Sequence, residues 1–319
     1  MEGDSISDTG NLIREGTGQA FATIGHLPYG ETYFHNATGR CSDGQLMIDF
    51  LATNLGLPFL NPYLDKNASF EHGVNFAVAG ATALDKSFFT EKNIYMPFTN
   101  SSLGVQLNWL KGHLNSKCNN HPGKPISEVM NYVPYVVDAI IEAARTVIDH
   151  GAAQLIVPGN FPIGCMPSYL TTFYYRNPGA YDRNNCLKYF NSFTEFHNLQ
   201  LTNALSRLRI EYPRIKIMYA DYYNSFLQLF SQASGLGFDR NTLLKSCCGK
   251  GGDYNFDVRN MCGMQDVPVC ASPKTMISWD GVHLTQAAYN VMADELMMGG
   301  YTSPNYGLWM KWTCNNLKP

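Results

Sequence analysis

The sequence predicts an α/β protein built on a parallel sheet, because short β-rich runs alternate with longer segments of helical periodicity. The clearest strands are residues 154–157 (QLIV) and 215–220 (IKIMYA). An amphipathic stretch over about residues 185–210 separates them and ends before Pro213. Apolar residues recur three and four apart over residues 127–150, directly before the first of these strands. The order helix, strand, helix, strand favours a parallel sheet covered by helices.

Other segments extend the pattern. Ser42 is expected to cap a helix that carries apolar residues up to Leu55, and residues 73–81 read as a short strand. Pro134 should kink or interrupt the start of its helix, and Gly151 stands where a C-cap belongs. Further helices are expected near residues 223–232 and 286–298, with an irregular cysteine-rich region over 246–273. Without a repeat or a low-complexity linker, residues 1–319 are predicted to form a single domain.

Composition excludes some functions. The chain has 319 residues, 45% of them hydrophobic, with a formal charge of −3 and 15% charged residues. Nucleic acid is not an expected partner, because its binding requires clustered lysine and arginine. No run of 18 apolar residues occurs, so no transmembrane segment is predicted. Aromatic residues make up 13% of the chain, which fits either a wide apolar cleft or an ordinary large core.

Cysteines and glycosylation sequons point to a secreted protein. Nine cysteines are many for a cytosolic enzyme, and the odd number suggests that one has no partner. Those at 247, 248, 262 and 270 lack the C-x₂-C spacing of a zinc site, so disulfides are the better interpretation. N-x-[ST] sequons begin at Asn36, Asn67 and Asn100. No signal peptide is recognisable, since Met1 and Glu2 lead directly into the first motif.

Three short motifs contain residues suited to chemistry. Residues 3–11 (GDSISDTGN) place Ser5 in a sequence typical of a tight turn. Residues 75–81 (NFAVAGA) contain Gly80, whose backbone N–H can approach a ligand closely. Residues 279–285 (WDGVHLT) place Asp280 and His283 three residues apart around a glycine. Each motif alone is more often an ordinary turn, cap or packing glycine. Their combination is what suggests a site.

The combination fits acyl transfer. A serine hydroxyl becomes a good nucleophile when an imidazole takes its proton, and the imidazole needs a carboxylate to fix its tautomer. The sequence therefore predicts Ser5 as nucleophile, His283 as base and Asp280 as the group that orients His283. The tetrahedral oxyanion needs preorganised donors, for which the N–H groups of Ser5 and Gly80 are candidates. The α/β-hydrolase elbow is excluded, because no G-x-S-x-G occurs.

At these residues the sequence resembles the plant GDSL esterase/lipase family of the SGNH hydrolase superfamily. GDSISDTGN, NFAVAGATAL and SWDGVHLT resemble its first, second and last blocks, and GRCSDGQLMIDFLA, VPGNFPIGCMP and CCGKGGDYNF resemble further family segments. The resemblance implies a flavodoxin-like three-layer α/β/α fold, secretion, and hydrolysis of a small-molecule or lipid ester. It implies Ser5, Asp280 and His283 as catalytic residues and Gly80 as an oxyanion donor. It implies no metal, cofactor or protein partner.

The sequence departs from the family pattern in two places. The family's hydrophobic strand before the GDS motif has no counterpart in Met1 and Glu2. The third block, a Gly-x-Asn-Asp stretch that supplies an oxyanion-hole asparagine, is expected between Asn108 and Val133 but is not found there. Asn160 is a poor substitute, because its segment matches a different part of the family. The alternative hypothesis is therefore a truncated or splice-variant homologue that at most binds an ester-like ligand.

Overall fold

The main sheet has three strands in the computed structural model, which describes residues 3–16, 23–92, 99–112, 129–298 and 300–305. Gln154–Pro158 and Lys216–Ala220 pair in parallel over their whole length, and Thr302–Ser303 adds an antiparallel edge to Lys216–Ala220. A separate parallel pair joins Asn61–Pro62 to Val74–Asn75. The predicted α/β class is confirmed.

In chain order the strands are β1 (Asn61–Pro62), β2 (Val74–Asn75), β3 (Gln154–Pro158), β4 (Lys216–Ala220) and β5 (Thr302–Ser303). The helices are α1 (Leu12–Glu15), α2 (Met47–Asn54), α3 (Lys86–Glu91), α4 (Leu103–Gly112), α5 (Val133–Asp149), α6 (Pro167–Thr172), α7 (Lys188–Glu211), α8 (Tyr222–Ser231) and α9 (Gln286–Met298).

Alternate residues of β4 face two different helical layers. Ile217 and Tyr219 are buried with apolar side chains of α5 and α7. Met218 and Ala220 are buried on the opposite face, with side chains of α2, α8 and α9. Since successive strand residues point to opposite faces, the sheet lies between two layers of helices. This is the three-layer α/β/α arrangement that the resemblance implied.

The observed helices begin and end close to the boundaries that the sequence predicted. Gly151 follows α5 with a φ of 97°, and its N–H donates to Ile148, so it terminates the helix as predicted. Helix α7 begins at Lys188, three residues later than expected, since Asn185 adopts a left-handed φ of 60°. The strand predicted at 73–81 is correct only for Val74–Asn75.

One prediction about a helix start is wrong. Ser42 does not cap α2, which begins after Leu46, where the Asp49 carboxylate accepts the Leu46 N–H at 2.9 Å. The interruption predicted at Pro134 is found: a 3-10 turn over Met130–Tyr132 precedes α5, and Pro134 stands in the first turn of that helix, where proline has no hydrogen bond to break. The third-block region at 113–128 lies outside the described residues, so its predicted absence stays a prediction.

Within the part of the chain that the structure describes, three disulfides stabilise the loops: Cys165–Cys186, Cys247–Cys270 and Cys248–Cys262. Their presence confirms the disulfide interpretation of the cysteine-rich region and fits folding in an oxidising compartment. Cys41 is buried with a free thiol. Cys118 and Cys314 lie outside the described residues. None of the described helices is long and apolar enough to span a membrane.

A buried ion pair fixes the entry to α2. The Arg40 guanidinium donates from Nε and Nη2 to the two oxygens of Asp49, at 2.8 and 2.7 Å. The side chains are 7% and 0% exposed, so water screens neither charge. The Arg40 guanidinium also lies 4.7 Å from the Phe34 ring. Removal of one partner would leave the other charge buried and uncompensated.

We therefore expect Arg40→Met to lower the free energy of unfolding by about 3–5 kcal/mol, because the Asp49 carboxylate would remain buried without its cation. The measurement is equilibrium denaturation followed by circular dichroism. Arg145→Met is the matched control, since Arg145 pairs with Glu142 and Glu211 on the surface of α5 and α7. An equal loss of stability in both variants would contradict the importance of burial.

Candidate active site

Asp280 and His283 form a hydrogen-bonded pair in the loop before α9. Nδ1 of His283 lies 2.7 Å from Oδ2 of Asp280, and the residues are only 1% and 5% exposed. The other oxygen, Oδ1, accepts the backbone N–H groups of Val282 and His283 at 3.0 and 2.8 Å. The loop thus folds back as the three-residue spacing predicted. With Nδ1–H donated to the carboxylate, Nε2 is the nitrogen that can accept a proton.

The loop requires glycine at position 281. Gly281 has a φ of 94°, and a Cβ there would lie 2.4 Å from a ring carbon of Phe256. The N–H of Trp279 donates to the carbonyl of His283 at 2.8 Å and closes the loop on itself. The D-x-x-H pair is therefore built by local backbone geometry.

Each member of the pair changes the pKa of the other. Burial alone would lower the pKa of His283, but the Asp280 charge, the nearby Cys41 sulfur and the hydrogen bond to Asp280 outweigh it and raise the pKa well above 6.5. Burial alone would raise the pKa of Asp280, but the His283 charge and the hydrogen bonds from His283 and Tyr29 lower it to about 2. The carboxylate is therefore ionised at neutral pH.

The pKa shifts of His283 and Asp280 determine how the stability of the fold changes with pH. The pairing of His283 stabilises the fold fully below pH 6.5, and this stabilisation is lost as the pH rises through the raised folded-state pKa. For Asp280 the stabilisation is present above pH 3.8 and is lost as the pH falls towards about 2.

The turn that carries Ser5 is closed by the N–H groups of Ser7 and Asp8, which donate to the Asp4 carbonyl, and the Asp8 carboxylate holds the residues that follow it. Oδ1 of Asp8 accepts the N–H groups of Gly10 and Asn11 at 2.7 and 2.6 Å. Its Oδ2 accepts those of Leu12 and Ala79 at 3.0 and 2.8 Å. The first three donors lie at the start of α1 or directly before it, and the fourth comes from the second motif. A buried carboxylate thus joins two segments that are distant in sequence.

Further hydrogen bonds bind the first motif to the second. The Val78 N–H donates to the carbonyl of Gly3 at 3.1 Å. The Asn75 side chain donates to the carbonyl of Ser7 at 2.6 Å. Gly80 follows two residues after Val78 with a φ of 79°, and Ser5 follows two residues after Gly3. The structure therefore brings the Ser5 and Gly80 segments together.

The turn that carries Ser5 approaches the Asp280/His283 pair, because Asp4 in that turn interacts electrostatically with His283. Ser5 itself is half-buried. Between described residues, the hydrogen bond of the His283 side chain leads to Asp280, and no hydrogen bond joins the ring to the Ser5 hydroxyl. Asn160 is exposed, and its backbone pairs with the Asn198 side chain.

Sequence reasoning missed two side chains that touch the pair. The Tyr29 hydroxyl donates to Oδ2 of Asp280 at 2.7 Å, across 251 residues of chain, and the Cys41 sulfur lies close enough to His283 to raise its pKa. Both residues come from the segment before α2. No local spacing marks them. Within the described ranges, no group of three or more His, Cys, Asp or Glu is placed to hold a metal ion.

A histidine oriented by a buried carboxylate, beside a serine-bearing turn in an α/β sandwich, is the arrangement of a hydrolase that uses a serine nucleophile. The model of the GDSL-like lipase/acylhydrolase family matches residues 3–296. Similar proteins include acetylajmalan esterase of Rauvolfia serpentina, 44% identical over 93% of this chain and 84% of its own length. Sinapine esterase of Brassica napus is 42% identical over 98% of this chain and 87% of its own.

A GDSL esterase/lipase of Arabidopsis thaliana is 41% identical over 98% of this chain and 88% of its own length. The chain belongs to the GDSL-like lipase/acylhydrolase family and is a carboxylic-ester hydrolase. The predicted family and its SGNH-type α/β fold are confirmed. The alternative of a homologue that only binds a ligand gains no support from these relatives.

Asp280→Asn tests whether the carboxylate sets the basicity of His283. Without its charge, burial dominates, and we expect the pKa of His283 to fall from well above 6.5 to below 6.5. The measurement is an NMR titration of labelled histidine, with His283→Gln to assign the resonance. Asp65→Asn is the control, because Asp65 pairs with Arg14 on the surface. An unchanged His283 titration in Asp280→Asn would show that the pairing does not govern the imidazole.

Proposed function

We propose that the chain hydrolyses carboxylic esters through an acyl-enzyme formed on Ser5, with His283 as the base and Asp280 as the residue that orients it. The observation that carries the proposal is the 2.7 Å hydrogen bond from Nδ1 of His283 to Oδ2 of Asp280. It leaves Nε2 as the proton acceptor and keeps a charge beside the imidazole that stabilises the imidazolium.

The reaction has two halves. Nε2 of His283 takes the Ser5 proton while Oγ attacks the ester carbonyl, and the tetrahedral intermediate collapses as the imidazolium returns that proton to the departing alcohol. Water then attacks the acyl-enzyme, His283 takes its proton, and the acid leaves as Ser5 is regenerated. Each step requires Ser5 Oγ within hydrogen-bond reach of Nε2, a contact that commonly tightens only when substrate binds.

The proposed oxyanion donors are the N–H groups of Ser5 and Gly80. Both segments are held together by the Val78–Gly3 hydrogen bond and by the Asp8 carboxylate. Among the hydrogen bonds between described residues, neither of these two N–H groups has an acceptor. They are therefore available to the developing negative charge, and a donor of this kind typically contributes about 10²–10³ to turnover.

The proposed substrate is an ester with a small or medium-sized acyl group. Two similar proteins are named for acetylajmalan and sinapine, which favours a small-molecule ester over a lipid. No nucleic acid or protein partner is proposed.

Ser5→Ala tests the nucleophile. We expect wild type to hydrolyse a chromogenic acetate ester and Ser5→Ala to lose at least about 10³-fold in kcat, because no other hydroxyl replaces the attacking oxygen. Turnover is followed by absorbance, and a phosphonate acyl mimic should label Ser5, as seen by peptide mass spectrometry.

Ser7→Ala is the matched control for Ser5→Ala. Ser7 lies in the same turn, and it is the Ser7 backbone carbonyl that receives the Asn75 hydrogen bond, so removal of its hydroxyl should leave turnover near wild type. Equal rates in wild type and Ser5→Ala, without labelling of Ser5, would refute the proposed mechanism.

We also propose that the protein is secreted and N-glycosylated. The asparagines of all three sequons, Asn36, Asn67 and Asn100, have exposed side chains, so a glycosyltransferase can reach them. The three disulfides fit the same route.

Expression in a secretory plant host tests this second proposal. We expect treatment with a peptide-N-glycosidase in water enriched in the heavy oxygen isotope to convert these asparagines to labelled aspartates, because exposed sequons are the acceptors. Peptide mass spectrometry reads the conversion. Asn54, an exposed asparagine outside any sequon, is the internal control. Unmodified peptides at all three sequons would contradict the proposal.

A further inference from the structure

The Asp280 carboxylate receives a fourth hydrogen bond from outside its own loop. Two backbone N–H groups occupy Oδ1, and Oδ2 accepts both Nδ1 of His283 and the hydroxyl of Tyr29, each at 2.7 Å. Tyr29 and His283 therefore share one oxygen. A donor on that oxygen competes with the imidazole for the same negative charge.

Tyr29 is held rigidly where it makes this contact. It is 2% exposed, and its ring packs edge-on to Trp279 with the centroids 6.0 Å apart. The next residue, Gly30, donates its N–H to the carbonyl of Ser42 at 2.9 Å, which ties the segment to the chain before α2. Thus the phenol cannot follow Asp280 if the carboxylate rotates.

The segment before α2 also forms hydrogen bonds to the residue that follows the Asp280/His283 loop. Oδ1 of Asp43 accepts the Gln286 N–H at 2.6 Å, and Oε1 of Gln286 accepts the Gln45 N–H at 2.8 Å. The residues around Tyr29 therefore hold the Asp280/His283 loop at both its beginning and its end.

We propose that Tyr29 is a positioning residue of this esterase: its hydroxyl fixes the Asp280 carboxylate in the orientation that His283 needs, and it limits the negative charge that the imidazole experiences. The inference rests on the proposed function of Ser5, Asp280 and His283. It differs from a plain buried hydrogen bond because the acceptor is the oxygen that binds the imidazole.

The phenol remains a donor at every working pH. Burial and the nearby Asp280 charge raise the pKa of Tyr29 well above 10, so the hydroxyl keeps its proton. Other titratable groups face the pair as well. They come from the Ser5 turn, the Tyr29 segment and α9, and they are Asp4, Cys41 and Tyr289. Among the described residues, none of these three groups donates to the oxygens of Asp280, so Oδ2 is shared between His283 and Tyr29.

Tyr29→Phe removes the hydroxyl and keeps the ring. We expect the pKa of His283 to rise, because the full carboxylate charge would then act on the imidazole. The acidic limb of the pH profile of kcat/KM should move to higher pH by the same amount. We expect kcat to fall by about 10- to 100-fold with KM nearly unchanged, as for loss of a hydrogen bond to a charged group.

Tyr289→Phe is the matched control. Tyr289 is also fully buried, and its hydroxyl accepts the Leu284 N–H at 3.3 Å, in the same loop but not on Asp280. The Tyr289→Phe variant should lose stability, but the pKa of His283 and the acidic limb of the kcat/KM profile should stay as in wild type. A Tyr29→Phe variant could instead lose stability while the pKa of His283, the acidic limb of the kcat/KM profile and kcat all stay as in wild type. That result would show that Tyr29 has only a structural role and would overturn the proposal.

A second replacement keeps the inference testable if Tyr29→Phe does not fold. 3-Fluorotyrosine at position 29 preserves the shape and donates more strongly, so the His283 titration should move to lower pH. An unmoved titration would overturn the proposal. The NMR titration needs no turnover, so it separates the two failures: equal inactivity of wild type and Ser5→Ala refutes the esterase mechanism, whereas an unmoved titration refutes the role of Tyr29.

Discussion

The arrangement of the site depends on the burial of the Asp280 carboxylate. A buried charge is costly unless hydrogen bonds replace its hydration, and here every lone-pair direction is used: two backbone N–H groups, an imidazole and a phenol. The two backbone hydrogen bonds fix the conformation of the loop, and the His283 imidazole is its reactive group. The Tyr29 phenol connects the loop to the segment before α2. One saturated carboxylate thus sets both the conformation of the loop and the ionisation of His283.

Asp8 is a second buried carboxylate whose charge is compensated by hydrogen bonds. It too accepts four hydrogen bonds, all from backbone N–H groups, and one of them comes from Ala79 in the second motif. In both places a buried acid satisfies backbone N–H groups that no strand or helix would otherwise pair. The proposed base is presented by a loop that folds around the Asp280 carboxylate, whereas the turn of the proposed nucleophile is closed by backbone hydrogen bonds to the Asp4 carbonyl. The short strands of the sheet support the segments that carry the proposed nucleophile and the proposed base.

Local chemistry explains what the sequence predicted and what it did not. The strands at β3 and β4 and the contact between Asp280 and His283 follow from patterns a few residues long, so they were predictable. The start of α2 was not, because the cap comes from Asp49 inside the helix, which Arg40 orients, rather than from Ser42 before it. Tyr29 and Cys41 reach the pair only through tertiary folding, and a single sequence carries no sign of such contacts.

The disulfide loops carry a consequence for where this enzyme can work. The N–H groups of Cys247 and Cys248 donate to the carbonyls of Ser278 and Trp279, the two residues that lead into Asp280. Each of these cysteines is bridged to another part of the same irregular region, at Cys270 and Cys262. Reduction would free the backbone that lies beneath the loop while leaving every reactive side chain chemically intact. The geometry of the Asp280/His283 pair is therefore coupled to the redox state of the surrounding compartment, through bonds that take no part in the reaction.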